Sequence, residues 1–150
     1  MHAARFKRYS TCGSCLGSGF KEEVGAYKIL NKSIIDLQSM SFTDLKKWFT
    51  RVKENLSEKI NQTTKDQNEF ASAFEESGSR VDYIIEIGLD YLSCNRGATS
   101  LSGGELQRIQ MARCLGNKLT DTLYCLDEPT VGLHPSDNDR LYKVLERIKS

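Results

Sequence analysis

Apolar positions divide the chain into three stretches of different spacing. Up to about residue 30 they are sparse. Gly13, Gly17 and Gly19 sit among Cys12 and Cys15, which predicts loops, followed by a short β-prone piece at Ala26-Tyr27-Lys28-Ile29. From 31 to 93 the spacing is helical. Phe42, Leu45, Trp48 and Phe49 fall at i, i+3, i+6 and i+7, with Ser41 or Thr43 available as a cap. Residues 51–69 are charged and rich in Asn and Gln, with Leu56 and Ile60 as anchors, as in a solvated helix or a loose connection. Val81, Ile84, Ile85, Gly88, Leu89 and Leu92 then keep a helical period, predicting one amphipathic helix over that span.

From 94 to 150 the elements alternate. A turn at Asn95–Thr99 leads into Leu101-Ser102-Gly103-Gly104-Glu105 and a helix to about Leu115. A short strand, Thr122–Leu126, ends in Asp127-Glu128-Pro129. A last helix follows Pro135, with Leu141, Val144, Leu145 and Ile148 as its apolar face. Helix, strand, helix in that order predicts an α/β unit, and an incomplete one, because a single strand makes no sheet.

Composition narrows the classes. With 150 residues, one domain with a working core is the prior. Lys+Arg number 21 against 20 Asp+Glu, so bulk charge gives no sign of a nucleic-acid partner. No apolar run approaches the roughly 18 residues of a membrane span. The basic N-terminus precedes no apolar core, so a secretory signal is not expected. Five scattered cysteines fit a reducing compartment, and a cytoplasmic protein is the expectation.

Two segments carry chemistry. Ser102 followed three residues later by Glu105 is a capping-box pattern, in which hydroxyl and carboxylate each take an orphan amide. Gly103 and Gly104 strip side chains from that first turn, so a phosphate can approach the amides and the positive helix end; Gln107 and Arg108 follow closely. Leu123 to Glu128 is an apolar strand delivering two carboxylates at its carboxyl end, where open α/β sheets bind ligands. One such carboxylate can hold Mg²⁺ and its neighbour can polarise a water.

Together these pieces resemble the ATP-binding-cassette (ABC) ATPases. Leu101 to Glu105 looks like their signature motif, and Leu123 to Glu128 like their Walker B strand. The stretch Gly132-Leu133-His134-Pro135, the following Ser136 to Leu141, and Ile87 to Leu92 are similar to the UvrA family, the damage-recognition ATPases of bacterial nucleotide excision repair. Asn31-Lys32-Ser33-Ile34 and the Cys12–Cys15 region have counterparts there too. Asp137 to Leu141 looks more like the first of that family's two nucleotide-binding halves.

The resemblance implies a P-loop NTPase domain of ABC type. It assigns 1–30 to a partial zinc-knuckle and strand region, 31–93 to a helical insertion of the signature region, and 94–150 to the signature helix, Walker B strand, D-loop and following helix. It implies ATP and Mg²⁺ as cofactors. Ser102, Gly103, Gly104, Glu105 and Gln107 would meet nucleotide, with Asp127 on Mg²⁺, Glu128 as catalytic base and His134 in the D-loop. It implies damaged duplex DNA, a second nucleotide-binding half, a second copy and the helicase subunit UvrB as partners, and no membrane. The sequence contains no GxxxxGK[ST] phosphate loop and no switch histidine in context. The chain is therefore expected to be an internal piece of a larger protein that does not hydrolyse ATP by itself. Two other readings share its features: a related drug self-resistance ATPase, and a non-enzymatic zinc-knuckle and helical interaction module.

Cys12-Gly13-Ser14-Cys15-Leu16-Gly17-Ser18-Gly19 is a CxxCxGxG knuckle, whose glycines permit a turn aiming two thiolates at one metal. That supplies two of four zinc ligands, and similarity to the family implies Zn²⁺. The family usually continues with Gly-x-Arg-Leu, whereas here Gly17-Ser18-Gly19-Phe20 stands. Cys94, Cys114 and Cys125 are expected as small core residues. Arg5, Lys7, Arg8 and Tyr9 are expected to be a solvated end, and Trp48 a core residue.

Overall fold

A computed structural model describes residues 10–59, 65–116, 123, 125, 128–130 and 135–149. The chain divides into two compact units, Met1–Ser39 and Met40–Ser150.

In the first unit a turn over Cys12–Gly19 leads to a 3-10 turn at Glu22–Ala26, then β1 (Lys28–Ile29) and β2 (Lys32–Ser33), then α1 (Ile34–Ser39). The strands are antiparallel, pairing Lys28 with Ser33 and Ile29 with Lys32. Leu30 and Asn31 join them with φ of 49° and 62°. Two left-handed residues match the type I′ loop that suits a two-residue hairpin. The Ser33 hydroxyl accepts the Asp36 N–H at 3.2 Å, and the Asp36 carboxylate takes both the hydroxyl and the amide of Ser33 at 2.8 Å. This cap starts α1 and holds the Asp36 carboxyl below its ordinary range.

The second unit is helical over most of its described residues. Its elements are α2 (Phe42–Lys59), α3 (Lys65–Glu86), α4 (Gly103–Gly116) and α5 (Pro135–Lys149). Ser41, rather than Thr43, caps α2: its hydroxyl accepts the Asp44 N–H at 3.1 Å. Leu45, Trp48 and Val52 then form the buried stripe of α2. Phe49 meets Phe74 with ring centroids 4.7 Å apart, Lys46 pairs with Asp82, and Lys53 with Glu75. The two ion pairs, Lys46–Asp82 and Lys53–Glu75, advance along α2 while retreating along α3, so the two helices are antiparallel. Trp48 is a core residue, packed in tilted and edge contacts with Phe49 and Phe74.

The helical period through Leu92 does not give one helix. α3 stops at Glu86, and Gly88 takes φ 76°. The Gly88 N–H donates to Ile85 O at 2.9 Å and the Leu89 N–H to Ile84 O at 3.1 Å. That bonding is a Schellman ending with glycine at the left-handed position. Leu89 and Leu92 keep their buried places from the connection instead, in a core with Ile87 and Ala112. A second correction concerns the cysteines. Cys94 and Cys125 are exposed and Cys114 is half-buried, so none belongs to that core. The expected strand Thr122–Leu126 falls largely outside the described residues. Leu123 and Cys125, which are described, are exposed and carry no strand assignment. A strand exists by pairing with a neighbour, and the one sheet among the described residues is β1–β2. No described helix is long and apolar enough to cross a membrane.

Candidate nucleotide-contact site at the start of α4

Helix α4 begins where the capping box predicts. The Ser102 hydroxyl accepts the Glu105 N–H at 3.2 Å, the Glu105 carboxylate accepts the Ser102 N–H at 2.7 Å, and the Leu106 N–H closes the first turn on Ser102 O at 3.0 Å. Ser102 and Gly103 are exposed, Gly104 and Gln107 half-buried, and Glu105 buried. A Cβ built at Gly103 would meet nothing within 4 Å. The first turn thus leaves open space beside Gly103. The Ser102 hydroxyl accepts the Glu105 N–H and also acts on the Glu105 carboxylate, helping to hold it ionised.

The sequence does not reveal the next partner of Glu105. The Tyr91 hydroxyl donates to Glu105 Oε1 at 2.6 Å. That bond is the main reason the Glu105 carboxyl is pulled down to about 2; the Ser102 amide, the Ser102 hydroxyl and the charge of Arg96 add to it against partial desolvation. Burial and the adjacent carboxylate raise the Tyr91 phenol. The capping carboxylate therefore stays ionised and acceptor-only at neutral pH.

The other expected site residues lie elsewhere. Asp127 and His134 fall outside the described residues, as do Arg5, Lys7, Arg8 and Tyr9. Glu128 is exposed at the turn 128–130, with φ 43°. A bulky non-glycine residue in that region is strained, and such strain is found disproportionately at functional sites. Cys12 and Cys15 belong to the first unit. The Cys12 thiol is lowered chiefly by the backbone N–H groups of Cys15 and Ser14, which donate to its sulfur. Donation of that kind favours a thiolate. Among the described residues, no group of three or more His, Cys, Asp or Glu side chains is arranged to hold a metal ion.

The sequence profile of the ABC transporter family matches residues 10–131, which include the start of α4 and the Asp127-Glu128 pair. The chain belongs to the ABC transporter family. Within that family it is similar to UvrABC system protein A of Rickettsia typhi, 39% identical over 146 residues, covering 97% of this chain and 15% of that protein. UvrABC system protein A of Mycoplasmopsis pulmonis is 40% identical over 145 residues, covering 95% and 14%. In structure the chain is similar to UvrA2 from Deinococcus radiodurans, with a TM-score of 0.66 and 31% identity over 91% of this chain and 14% of that one. The chain thus spans about 15% of the length of the relatives it matches.

Proposed function

We propose that this chain supplies the signature side of a composite ATP site in a UvrA-like ATPase of nucleotide excision repair. The observation that carries the reading is the first turn of α4: an exposed serine, open space beside Gly103, and a carboxylate spent on capping rather than facing solvent. That turn fits a phosphate, because it offers donors and keeps its own negative charge tied down. Bound MgATP would supply the phosphoanhydride bond and the charge that the protein must neutralise.

In this reading Ser102 donates to a terminal phosphate oxygen held on the other nucleotide-binding half. The amides of Gly103 and Gly104 assist, and Gln107 lies one turn behind. Asp127 serves as a Mg²⁺ ligand and Glu128 orients the attacking water as catalytic base, both at the opposite site of the pair. His134 contributes to the D-loop between the halves. The reading includes the division of the chain into knuckle region, helical insertion at 31–93 and signature-to-D-loop segment at 94–150. Damaged duplex DNA, a second copy and UvrB are the partners, in the cytoplasm. Cys12 and Cys15 suit zinc as one pair of thiolates, with the remaining ligands supplied from elsewhere.

The test is complementation. The chain is mixed with a separately produced half bearing a phosphate loop, and Mg²⁺-dependent release of phosphate from ATP is followed. Activity is expected in the mixture and in neither part alone. Glu128→Gln is expected to abolish turnover while preserving nucleotide-dependent association. Association that ignores ATP, with Ser102→Ala indistinguishable from the unmodified chain, would count against the reading.

A further inference from the structure

We infer that Tyr91 is a positioning residue for the start of α4, holding the Ser102 hydroxyl in place through Glu105. What Ser102 binds rests on the nucleotide reading above; how Ser102 is held rests on geometry alone.

The segment Asp90-Tyr91-Leu92 is gripped from two directions. Asp90 O accepts the Thr43 N–H at 3.1 Å and Leu92 O accepts the Phe42 N–H at 2.9 Å. These are first-turn amides of α2, which have no partner inside their own helix. The Thr43 hydroxyl adds bonds of 3.3 Å to Asp90 O and to the Asp90 carboxylate. Between the two gripped carbonyls, the Tyr91 hydroxyl reaches Glu105 at 2.6 Å. One short segment therefore satisfies the N-terminus of α2 with its backbone and completes the cap of α4 with a side chain.

Glu105 makes the link directional. Its Oε2 takes the Ser102 N–H and its Oε1 takes the Tyr91 hydroxyl. With both oxygens occupied the carboxylate plane is fixed, and with it the backbone of Ser102 whose hydroxyl accepts from Glu105. Removing the phenol oxygen frees Oε1 in a residue only 8% exposed. The carboxylate then turns to regain a donor and loosens its hold on Ser102. Arg96 and Arg108 are the charged groups that act on this pair. Tyr91 is 56% exposed, so loss of its hydroxyl alone leaves the buried core intact.

The experiment compares the 150-residue chain with Tyr91→Phe, reading the Glu105 carboxyl by NMR titration and amide hydrogen exchange at Ser102 and Glu105. The Glu105 midpoint is expected to rise from about 2 toward the ordinary 4.5. Exchange at the two amides should speed up by about tenfold, the scale of one hydrogen bond to a charged group, with protection at Val52 and Leu89 unchanged. In a Glu105→Gln background, adding Tyr91→Phe should have a much smaller effect, since the charged link is already gone. An unmoved midpoint, or unchanged exchange at Ser102, overturns the inference. MgATP and a phosphate-loop half are then added to both proteins, and the Gly103 and Gly104 amides are followed. A response weakened about fivefold or more in Tyr91→Phe supports the inference, and an identical response in both overturns it. No response in the unmodified chain, with the titration and exchange changes present, rejects the nucleotide reading while upholding Tyr91 as the residue that positions Ser102.

Discussion

The two units are held together by different means. In Met40–Ser150, apolar side chains from separate helices and one connection are buried together: Leu45, Trp48 and Val52 on α2, Val81 on α3, Ile87, Leu89 and Leu92 after it, Met111 and Ala112 on α4, and Leu141 on α5. In Met1–Ser39 no described apolar side chain is buried, and Ser33 is the buried residue. That unit is shaped by left-handed residues at Leu16, Gly17, Gly19, Leu30 and Asn31, and by local bonds such as Leu16 N–H to Cys12 O. A net hydrogen bond contributes about 1 kcal/mol, while a buried leucine contributes about 2 kcal/mol and shares it with many neighbours. The second unit can hold its shape by burial. The first depends on each turn being correct, the condition under which small modules use a metal or a partner surface.

The sharpest way to break this contrast is to open a cavity. Leu89 is fully buried. Leu89→Ala is expected to destabilise the second unit by about 2–5 kcal/mol. Chemical denaturation followed by NMR should show α3 and α4 signals lost early, with the hairpin resonances of Lys28 to Ser33 unmoved. Loss of both sets together would mean that the first unit leans on the second.

A smaller effect is expected where the second unit depends on local geometry. Gly88 ends α3 at φ 76°. Gly88→Ala should cost about 1–2 kcal/mol, the penalty of a side chain in the left-handed region. The check is a thermal melt, and a neutral result would show that the Schellman turn relaxes without disturbing Leu89.

That same glycine marks the limit of what the sequence reveals. The period of Val81, Ile84, Ile85, Leu89 and Leu92 correctly announces burial but runs past the helix end. Periodicity reports which residues face a core, and a Schellman turn returns Leu89 to that core without continuing the helix. The start of α4 is fully legible, because Ser102 and Glu105 form a local cap whose spacing is its mechanism. Tyr91 is not, since its partner lies 14 residues away across a connection of irregular backbone. The cysteines fail for the same reason: Cys94 and Cys125 have core-like chemistry, but their exposure is decided by chain path.

Acid offers a finer comparison. Glu105 titrates at about 2 in the folded chain against an ordinary 4.5. A depressed folded pKa means that its contribution is complete above pH 4.5 and is lost as pH falls toward about 2. Melts of the chain and of Glu105→Gln should therefore differ at neutral pH and converge through that window. Asp36, held low by its cap, and Asp44, held low by Lys47 and then by Ser41, titrate in both proteins and cancel from the difference. Parallel curves would show that the charge of Glu105 adds nothing to the cap.

The smallest expected effect tests the first unit on its own terms. Leu30 occupies the first loop position of the hairpin at φ 49° and is 44% exposed. A branched apolar side chain in that conformation costs about 1 kcal/mol, whereas Asn tolerates it through local hydrogen bonding. Because no described apolar core surrounds it, Leu30→Asn sacrifices little burial. A gain of about 0.5 kcal/mol in hairpin stability is expected, read as slower amide exchange across the Lys28–Ser33 and Ile29–Lys32 pairs. Faster exchange would mean that the Leu30 side chain supports its surroundings by packing. The first unit would then be organised by burial as the second is, and its dependence on exact turns would be the weaker part of the contrast.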